Sequence, residues 1–346
     1  MLQLRNRSPF VATIAALADA RGVDTVVVVV KATFGLPEQP GAQPQLAGEQ
    51  QPIVLADEYW GDPSASSLRY PSEVHLAKPG ADVILVGHAH APGGQAVTVL
   101  DVTVGVAEQS RTLRVYGDRV WTDGGRAAVP SLPVPFVRMP LVYERAYGGR
   151  LLGSPGSTHG FEEPRNPVGV GLLGDRRPGD MLGQPVPNLE DPQQPLTVLG
   201  QTPAPVGVAA IAPSWEPRRS WAGTYDQRWQ ATRAPYLPQD FDPRFFQVAA
   251  SGLRFERPLR GGEPVRLLGV DPQGPRHFAL PDGRLEVRAR VAGGWQGLVP
   301  ALDTVVLEPD ERRLSLVWRA SLALGERLLR VERVEVGLAA LEGAES

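Results

Sequence analysis

The chain contains no cysteine among its 346 residues. Thiol catalysis, disulfide bonds and cysteine-based zinc or iron–sulfur sites are therefore excluded. Lysine is scarce as well, since Lys31 and Lys78 are the only two, and arginine supplies the remaining positive charge. Such a bias is typical of a GC-rich genome, and it also suits buried pairs and interfaces because the guanidinium group is planar and carries many donors.

Long hydrophobic runs are missing too. The longest strictly apolar run, 26–30, is far shorter than the roughly 20 residues that a helix needs to cross a bilayer. The first residues lack the basic-then-apolar order of a secretory signal peptide. The formal net charge of -3 gives no general attraction to nucleic acid or to an anionic membrane. We therefore expect a soluble cytoplasmic protein that binds neither nucleic acid nor membrane.

The common sequence motifs of enzymes are also absent. The chain has no phosphate-binding loop, no dinucleotide-binding glycine motif, no serine-hydrolase elbow and no zinc-protease helix motif. No group of residues therefore indicates a particular reaction. We predict a protein that is not an enzyme, without catalytic residues and without a cofactor.

Glycine and proline are abundant, with 38 and 35 residues scattered between short apolar runs. Proline is excluded from helix interiors and central ladder positions, and glycine supplies turns, so this pattern favours short strands. The segment 24–34 is β-branched and nearly continuous, which predicts a strand buried on both faces. Further strands are predicted at 82–90, 96–106, 111–121, 265–270, 284–291, 304–308, 313–320 and 327–338.

Two pairings of these strands follow from the turns between them. Residues 92–94 are read as the first turn of an antiparallel meander that covers 82–121. Residues 309–311 lie between two apolar runs and predict a hairpin. The fold class expected from these patterns is mainly β.

The middle of the chain, 131–260, differs from the rest. It holds most of the prolines and few long periodic runs, yet its aromatic content argues against disorder. We expect packed irregular chain with short helices near 225–232 and 243–250. The tryptophans of the segment are Trp215, Trp221 and Trp229.

The expected architecture has two β-rich lobes joined by this segment. The N-terminal lobe covers 1–130 and the C-terminal lobe covers 261–346, each with antiparallel sheets of sandwich or barrel-like form. One continuous domain is the alternative. No internal repeat of solenoid or propeller period is present.

One cluster of acids and aromatics has two interpretations. Asp57, Glu58 and Asp62 stand beside Tyr59 and Trp60, as the paired carboxylates of glycosidases stand in a sugar site. The alternative function is therefore a carboxylate-dependent hydrolase that acts on a carbohydrate-like substrate. The favoured interpretation is a turn whose carboxylates accept backbone N–H bonds while the two aromatics fill the core.

A histidine pair also has two interpretations. His88 and His90 would face the same side of a strand, as two metal ligands do. A third ligand would have to come from His75, His159, His277 or a carboxylate. The favoured interpretation is a hydrogen-bonded pair, and no metal is predicted.

Two acid–arginine neighbours and one capping motif are read as structural. Asp118 with Arg119, and Glu144 with Arg145, suit the arginine–carboxylate pairs that lock loops. Asp226 and Asp242 suit the N-cap position that precedes a short helix, where free N–H groups need acceptors. The candidate structural or binding residues are Asp57, Glu58, Tyr59, Trp60, Asp62, Asp118, Arg119, Glu144, Arg145, Trp215, Trp221, Tyr225, Asp226 and Trp229.

Ten short blocks of acidic, aromatic and glycine residues follow one another along the chain. They are 56–62, 67–71, 78–82, 86–88, 116–119, 140–149, 165–169, 187–192, 222–226 and 240–245. In this order they closely resemble domain-of-unknown-function family 2169, over about residues 9–319.

That resemblance implies a role in bacterial type VI secretion. Members of the family are encoded near secretion effectors, and the implied role is an effector chaperone or adaptor. Such a protein holds a toxic effector, often one with a PAAR or Rhs region, and helps to mount it on the VgrG spike. The resemblance supplies no catalytic residues. The aromatics of the middle segment are the expected contact residues, unless they belong to the core, and strand addition at an exposed sheet edge is the alternative contact mode.

Overall fold

The fold is built from many short strands, described by a computed structural model that covers residues 2–39, 41–151, 160–324 and 330–339. The first strands are β1 (Gln3–Asn6), β2 (Val11–Ala18), β3 (Asp24–Gly35), β4 (Gln45–Leu46), β5 (Glu58–Tyr59), β6 (Leu68–Tyr70), β7 (Asp82–Leu85), β8 (His88–His90), β9 (Val99–Val106), β10 (Gln109–Tyr116), β11 (Arg119–Asp123) and β12 (Ala128–Pro130). The middle segment contains β13 (Arg138–Pro140), β14 (Tyr147–Gly148), β15 (Arg150–Leu151), β16 (Phe161–Glu162), β17 (Val170–Gly171), β18 (Pro185–Val186) and β19 (Leu189–Glu190). The last strands are β20 (Pro264–Leu268), β21 (Arg276–Ala279), β22 (Leu285–Val291), β23 (Gly294–Leu298), β24 (Ala301–Glu308), β25 (Arg313–Ala323) and β26 (Val331–Leu338).

Helices are few and short in the described residues. The α-helices are α1 (Arg218–Trp221) and α2 (Gln227–Thr232), and 3₁₀ turns occupy Pro92–Gly94, Tyr143–Arg145, Pro178–Met181, Pro243–Phe246 and Pro309–Glu311. The prediction of a mainly β fold with a few short helices is confirmed. The predicted helix at 243–250 is only one 3₁₀ turn, which ends at the extended residue Gln247, and residues 247–250 are buried in the core.

The strand β3 shows why the valine run forms the centre of the fold. Its side chains alternate between two faces, as in any strand. Val26, Val28 and Val30 enter the main hydrophobic cluster, whereas Val27 and Val29 enter a second cluster on the opposite face. The prediction of a strand buried on both faces is confirmed, because ten consecutive residues of β3 are buried.

A six-stranded sheet holds this strand in the order β2-β3-β25-β24-β7, with β4 paired to the end of β3. The predicted hairpin is confirmed: β24 and β25 pair antiparallel and turn through Pro309–Glu311. Its last turn residue, Arg312, has a φ of 50° and closes the turn in the left-handed region. The neighbour β7 pairs with β24 in parallel.

Two further sheets pack on the same main cluster. One has the order β19-β10-β9-β20-β21, and the other has the order β1-β26-β22-β23. Smaller sheets of two or three strands occupy the rest: β14-β17 and β15-β16 lie in the middle segment, β13-β8 and β12-β11-β18 join it to the first part of the chain, and β5-β6 lies in the first part. Every sheet among the described residues is open, with two edge strands, so the barrel-like form is not found. Strands from the first and the last third of the chain share the six-stranded sheet, and the main cluster contains residues from all three predicted regions.

The predicted meander over 82–121 is present only in part. β9 and β10 form an antiparallel hairpin, but β8 pairs with β13 and β11 pairs with β12 and β18. The physical reason is that β8 and β11 are short and pair with β13 and β18, which lie far along the chain, so local sequence carries no signal for these partners. Within the strand predicted at 327–338, residues 327–329 lie outside the described part.

Candidate binding surface

The region between α1 and the 3₁₀ turn at Pro243–Phe246, here called the aromatic segment (221–246), places large aromatic side chains in solvent. Tyr225 is 53% exposed and Tyr236 is 43% exposed. Tyr225 meets the half-buried Trp229 edge to face, with ring centroids 4.7 Å apart. Two of the candidate residues, Tyr225 and Trp229, are therefore in ring contact at the surface.

Hydrogen bonds hold this irregular segment in shape. The Asp226 carboxylate caps α2 by accepting the Trp229 N–H at 2.7 Å, as the sequence predicts. The Trp229 indole N–H donates to the Tyr236 carbonyl at 2.8 Å. Asp240 accepts the Thr224 N–H at 3.0 Å and its hydroxyl at 2.7 Å. The aromatic rings are therefore presented on a defined backbone, although no regular sheet supports them.

Arginines attach the segment to the body of the fold. Trp221 lies between the guanidinium groups of Arg244 and Arg254, at 5.1 and 5.0 Å from the ring centroid. Arg218 is buried, donates to the Phe245 and Ile211 carbonyls, and has its pKa lowered to about 10 by burial. It therefore stays protonated at neutral pH and acts as a fixed donor to backbone oxygens.

An apolar groove of about 270 Å³ separates the aromatic segment from the turn between β2 and β3. Leu237, Phe241 and Phe246 line one side, and Asp19 and Arg21 of the turn line the other. The Arg233 side chain bridges the two sides by donating to the Ala20 main-chain carbonyl. The groove is small and mostly apolar, as the seat of one or two side chains of a partner would be.

Not every tryptophan of the middle segment, 131–260, belongs to this surface. Trp215 is 3% exposed and packs edge to face on Tyr143, with centroids 5.5 Å apart. It is therefore a core residue and is out of reach of a partner. Irregular chain, like regular structure, needs large side chains to exclude water from the interior.

The acidic cluster at 57–62 is held by backbone hydrogen bonds, as the favoured interpretation requires. Asp57 accepts the Ser72 N–H at 2.7 Å, and Asp62 accepts the Ser64 N–H at 2.8 Å. Hydrogen bonds from the Ser64 side chain and backbone lower the pKa of Asp62, the opposite of what a general acid needs. Glu58 is exposed.

The two aromatics of that cluster differ in burial. Tyr59 packs against the main core, as predicted. Trp60 does not fill the core, because it is 39% exposed and carries the Arg69 guanidinium at 4.5 Å from its ring centroid. An indole stacked on guanidinium tolerates solvent, which explains this departure from the prediction.

The histidine pair binds a carboxylate. His88 Nδ1 and His90 Nε2 lie 2.7 and 2.6 Å from the two oxygens of Asp310, and Arg138 donates to the same carboxylate at 3.2 Å. Burial alone would raise the pKa of Asp310, but the hydrogen bonds from both imidazoles and from Arg138 lower it well below its ordinary value. Of the residues proposed as third ligands, His159 lies outside the described part, and within that part no group of side chains is arranged to hold a metal ion.

The predicted acid–arginine neighbours bind other partners. Arg145 donates to Asp118 at 2.9 Å, while Arg119 forms a buried ion pair with Glu190. Glu144 accepts the Ser67 N–H and hydroxyl at 2.7 and 2.6 Å. Adjacent side chains point in different directions, Asp118 and Arg119 at the start of β11 and Glu144 and Arg145 in the 3₁₀ turn, so each one reaches a different element.

A buried charge network was missed by the sequence interpretation. Lys78 Nζ lies 2.7 Å from Asp82 and 2.8 Å from the Thr304 hydroxyl, and it is 1% exposed. Asp82 also accepts the N–H groups of Val248 and Ala249 at 3.0 and 3.1 Å. The signal was the scarcity of lysine: both lysines of the chain are buried and paired, Lys78 in this network and Lys31 with Glu73 at 2.7 Å.

Comparison with known proteins identifies one family. Residues 21–319 match a family described as uncharacterized protein conserved in bacteria (DUF2169). No curated protein and no solved structure matches the chain. Within the described residues, no helix combines the length and the apolar character that crossing a membrane requires.

Proposed function

The chain belongs to this bacterial DUF2169 family, and from that premise we propose that it is a non-catalytic adaptor that binds a type VI secretion effector in the cytoplasm. In this role it shields an apolar part of the effector, of the PAAR or Rhs type, and helps to load it on the VgrG spike. Loading requires a surface that grips another polypeptide and later releases it.

The observation that carries the proposal is the aromatic segment with its groove. Protein interfaces are enriched in Tyr, Trp and Arg, and a few such side chains supply most of the binding energy. Here Tyr225 and Tyr236 are exposed, Trp229 is half-buried, and Arg21 stands at the rim of the groove.

The rigidity of the segment supports the same proposal. Binding costs free energy when a loop must be ordered, so a surface already fixed by hydrogen bonds binds more tightly for the same contacts. The bonds from Asp226, Asp240 and Trp229 order the segment before any partner arrives.

The test is a pulldown of the effector encoded beside the gene, co-expressed with the full chain. The double variant Tyr225→Ala, Tyr236→Ala removes two exposed rings without touching the core. We expect effector affinity to fall about 30-fold or more, because the loss of even one aromatic hot spot costs about 2 kcal/mol and every 1.4 kcal/mol is tenfold.

The matched control is Trp295→Ala, which removes an aromatic ring of similar exposure, 44%, from β23. It should leave effector binding unchanged. An effector that stays soluble and is secreted equally well after deletion of this protein would contradict the adaptor function. An effector that binds the double variant as tightly as the wild type would show that the contact surface lies elsewhere.

A further inference from the structure

The strand β2 forms one edge of the six-stranded sheet and is open on its outer side. Among the described residues it pairs with β3 and with no other strand. Its eight residues, Val11–Ala18, form a regular ladder without a register shift. All eight residues are at least partly accessible to solvent, and Ala16 is exposed.

The neighbouring hydrogen bonds determine which β2 groups face outward. The Asp19 N–H donates to the Val23 carbonyl, so the odd-numbered residues of β2 bond to β3. The Leu324 N–H donates to the Asp24 carbonyl, so the even-numbered residues of β3 bond to β25. The odd-numbered residues of β3 are therefore the ones that bond to β2, which agrees with the first hydrogen bond. The N–H and C=O groups that point away from the sheet belong to Ala12, Ile14, Ala16 and Ala18.

The edge carries none of the devices that normally prevent strand pairing. Natural edge strands are short or bulged, or they contain charges or proline. The sequence of β2 is Val-Ala-Thr-Ile-Ala-Ala-Leu-Ala, with no charge, no proline and no glycine. The opposite edge of the same sheet is covered, because the N–H groups of Val83 and Leu85 donate to the carbonyls of Leu253 and Val208 in the middle segment.

We infer that β2 pairs antiparallel with β2 of a second copy of this chain, joining two six-stranded sheets across a two-fold axis. Extended backbone is the ligand that satisfies a row of outward N–H and C=O groups. A two-fold interface of identical strands is self-complementary by symmetry.

Charge favours a second copy in this orientation. Exposed Arg5 and Arg7 precede β2, whereas the turn after it carries two acids, Asp19 and Asp24, against one arginine, Arg21, which pairs with Asp19. Antiparallel pairing places the basic end of one copy near the acidic end of the other, whereas parallel pairing would bring like charges together. The uncharged strand between them adds no repulsion.

The small side chains of β2 also permit close approach. The register that uses all four outward residues places Ala12 opposite Ala18 of the other copy and Ile14 opposite Ala16. A single pair of eight-residue strands is a small interface, so the dimer should be weak and depend on concentration.

The test is sedimentation of the full chain over a range of concentrations. We expect the mass to rise toward twice the 37.2 kDa of one chain. Ala16→Lys introduces a charge at the exposed position of the edge and should keep the protein monomeric. The control Val299→Lys adds the same charge at a residue that is 88% exposed outside β2 and should dimerise normally.

Amide hydrogen exchange on the wild type supplies a second measurement that does not depend on any variant. In the dimer the N–H groups of Ala12, Ile14 and Ala16 should exchange slowly, and dilution to the monomer should accelerate them. The N–H groups of Thr13 and Ala15 bond to β3 and should stay slow in both states. This even–odd pattern identifies the edge itself as the interface.

Three results would overturn the inference. One is a wild-type mass that stays at 37.2 kDa up to about 1 mM, where an interaction of about 4 kcal/mol would already be visible. Another is a dimer that survives Ala16→Lys with fast exchange at Ala12 and Ile14. Protection that appears only when an effector is added would assign the edge to the effector and reject a second copy. Effector binding itself is measured separately, so failure here leaves the proposed function unchanged.

Discussion

The two edge strands of the six-stranded sheet, β7 and β2, differ in how their outward backbone groups are covered. At β7 the middle segment supplies carbonyl acceptors, and the Asp82 carboxylate accepts two backbone N–H groups from 248–249 while pairing with Lys78. At β2, on the other side of β3, no described element covers the outward groups. One edge is enclosed by irregular chain and buried charge, and the other remains open.

This difference shows what the proline-rich middle segment does structurally. It is too irregular to form a large sheet, yet it satisfies the backbone of β7, which would otherwise be an edge buried without partners. It also carries the aromatic segment, which lies beside the β2–β3 turn. The covered edge at β7 therefore stabilises the monomer, and the aromatic segment lies near the open edge at β2.

The largest expected effect comes from breaking the covered edge at Asp82. In Asp82→Ala the buried Lys78 loses its nearer carboxylate and keeps only that of Asp303 at 3.8 Å, and the N–H groups of Val248 and Ala249 lose their acceptor. We expect the free energy of unfolding to fall by about 3–5 kcal/mol, because breaking a buried, hydrogen-bonded ion pair is strongly unfavourable. Urea denaturation measures the change.

The control for this prediction is Asp101→Ala, which breaks a surface pair with Arg114. Its loss should stay below about 1 kcal/mol, since solvent screens exposed pairs. Equal losses in the two variants would mean that Asp82 does not hold the edge.

A smaller effect is expected at Asp310, whose carboxylate joins the β24–β25 turn to β8, just beyond the end of β7. The hydrogen bonds from His88, His90 and Arg138 keep its folded-state pKa below the ordinary value of 3.8. Its contribution to stability is therefore complete above pH 3.8 and is lost as the pH falls below that value. Asp310→Asn should cost roughly 1–2 kcal/mol at neutral pH.

The pH dependence distinguishes this role from simple packing. The difference between wild type and Asp310→Asn, followed by denaturation at successively lower pH, should shrink below pH 3.8. A difference that is the same at every pH would contradict an electrostatic role for the carboxylate.

The smallest effect is expected at the open edge. Ala16→Lys, compared with wild type at a dilution where both are monomeric, should change the free energy of unfolding by less than about 0.5 kcal/mol, because surface substitutions away from special features are nearly neutral. A loss as large as that of Asp82→Ala would show that something covers β2 after all.

Several parts of the fold followed from local sequence. The β-branched run that became β3, the hairpin turn at 309–311 and the capping role of Asp226 were all predicted, because period, turn chemistry and capping act over a few residues. The parallel pairing of β7 with β24 was not, since its partners are far apart in the chain.

The candidate site also has features that local sequence predicts and features that it does not. Tyr225, Asp226 and Trp229 could be grouped from their spacing, and they do share one surface. The partners of Asp118 and Arg119 could not be predicted, because neighbouring side chains on extended chain leave in opposite directions toward distant elements.

By itself, the sequence determined that this protein is cysteine-free and rich in short strands, and that 24–34 is a strand buried on both faces, because these properties depend on composition and on local patterning. Only the tertiary structure decided that Lys78 is buried against Asp82, that Trp215 lies in the core, and that β2 rather than β7 keeps an open edge. Burial and the direction of backbone hydrogen bonds depend on which distant segment arrives beside each strand.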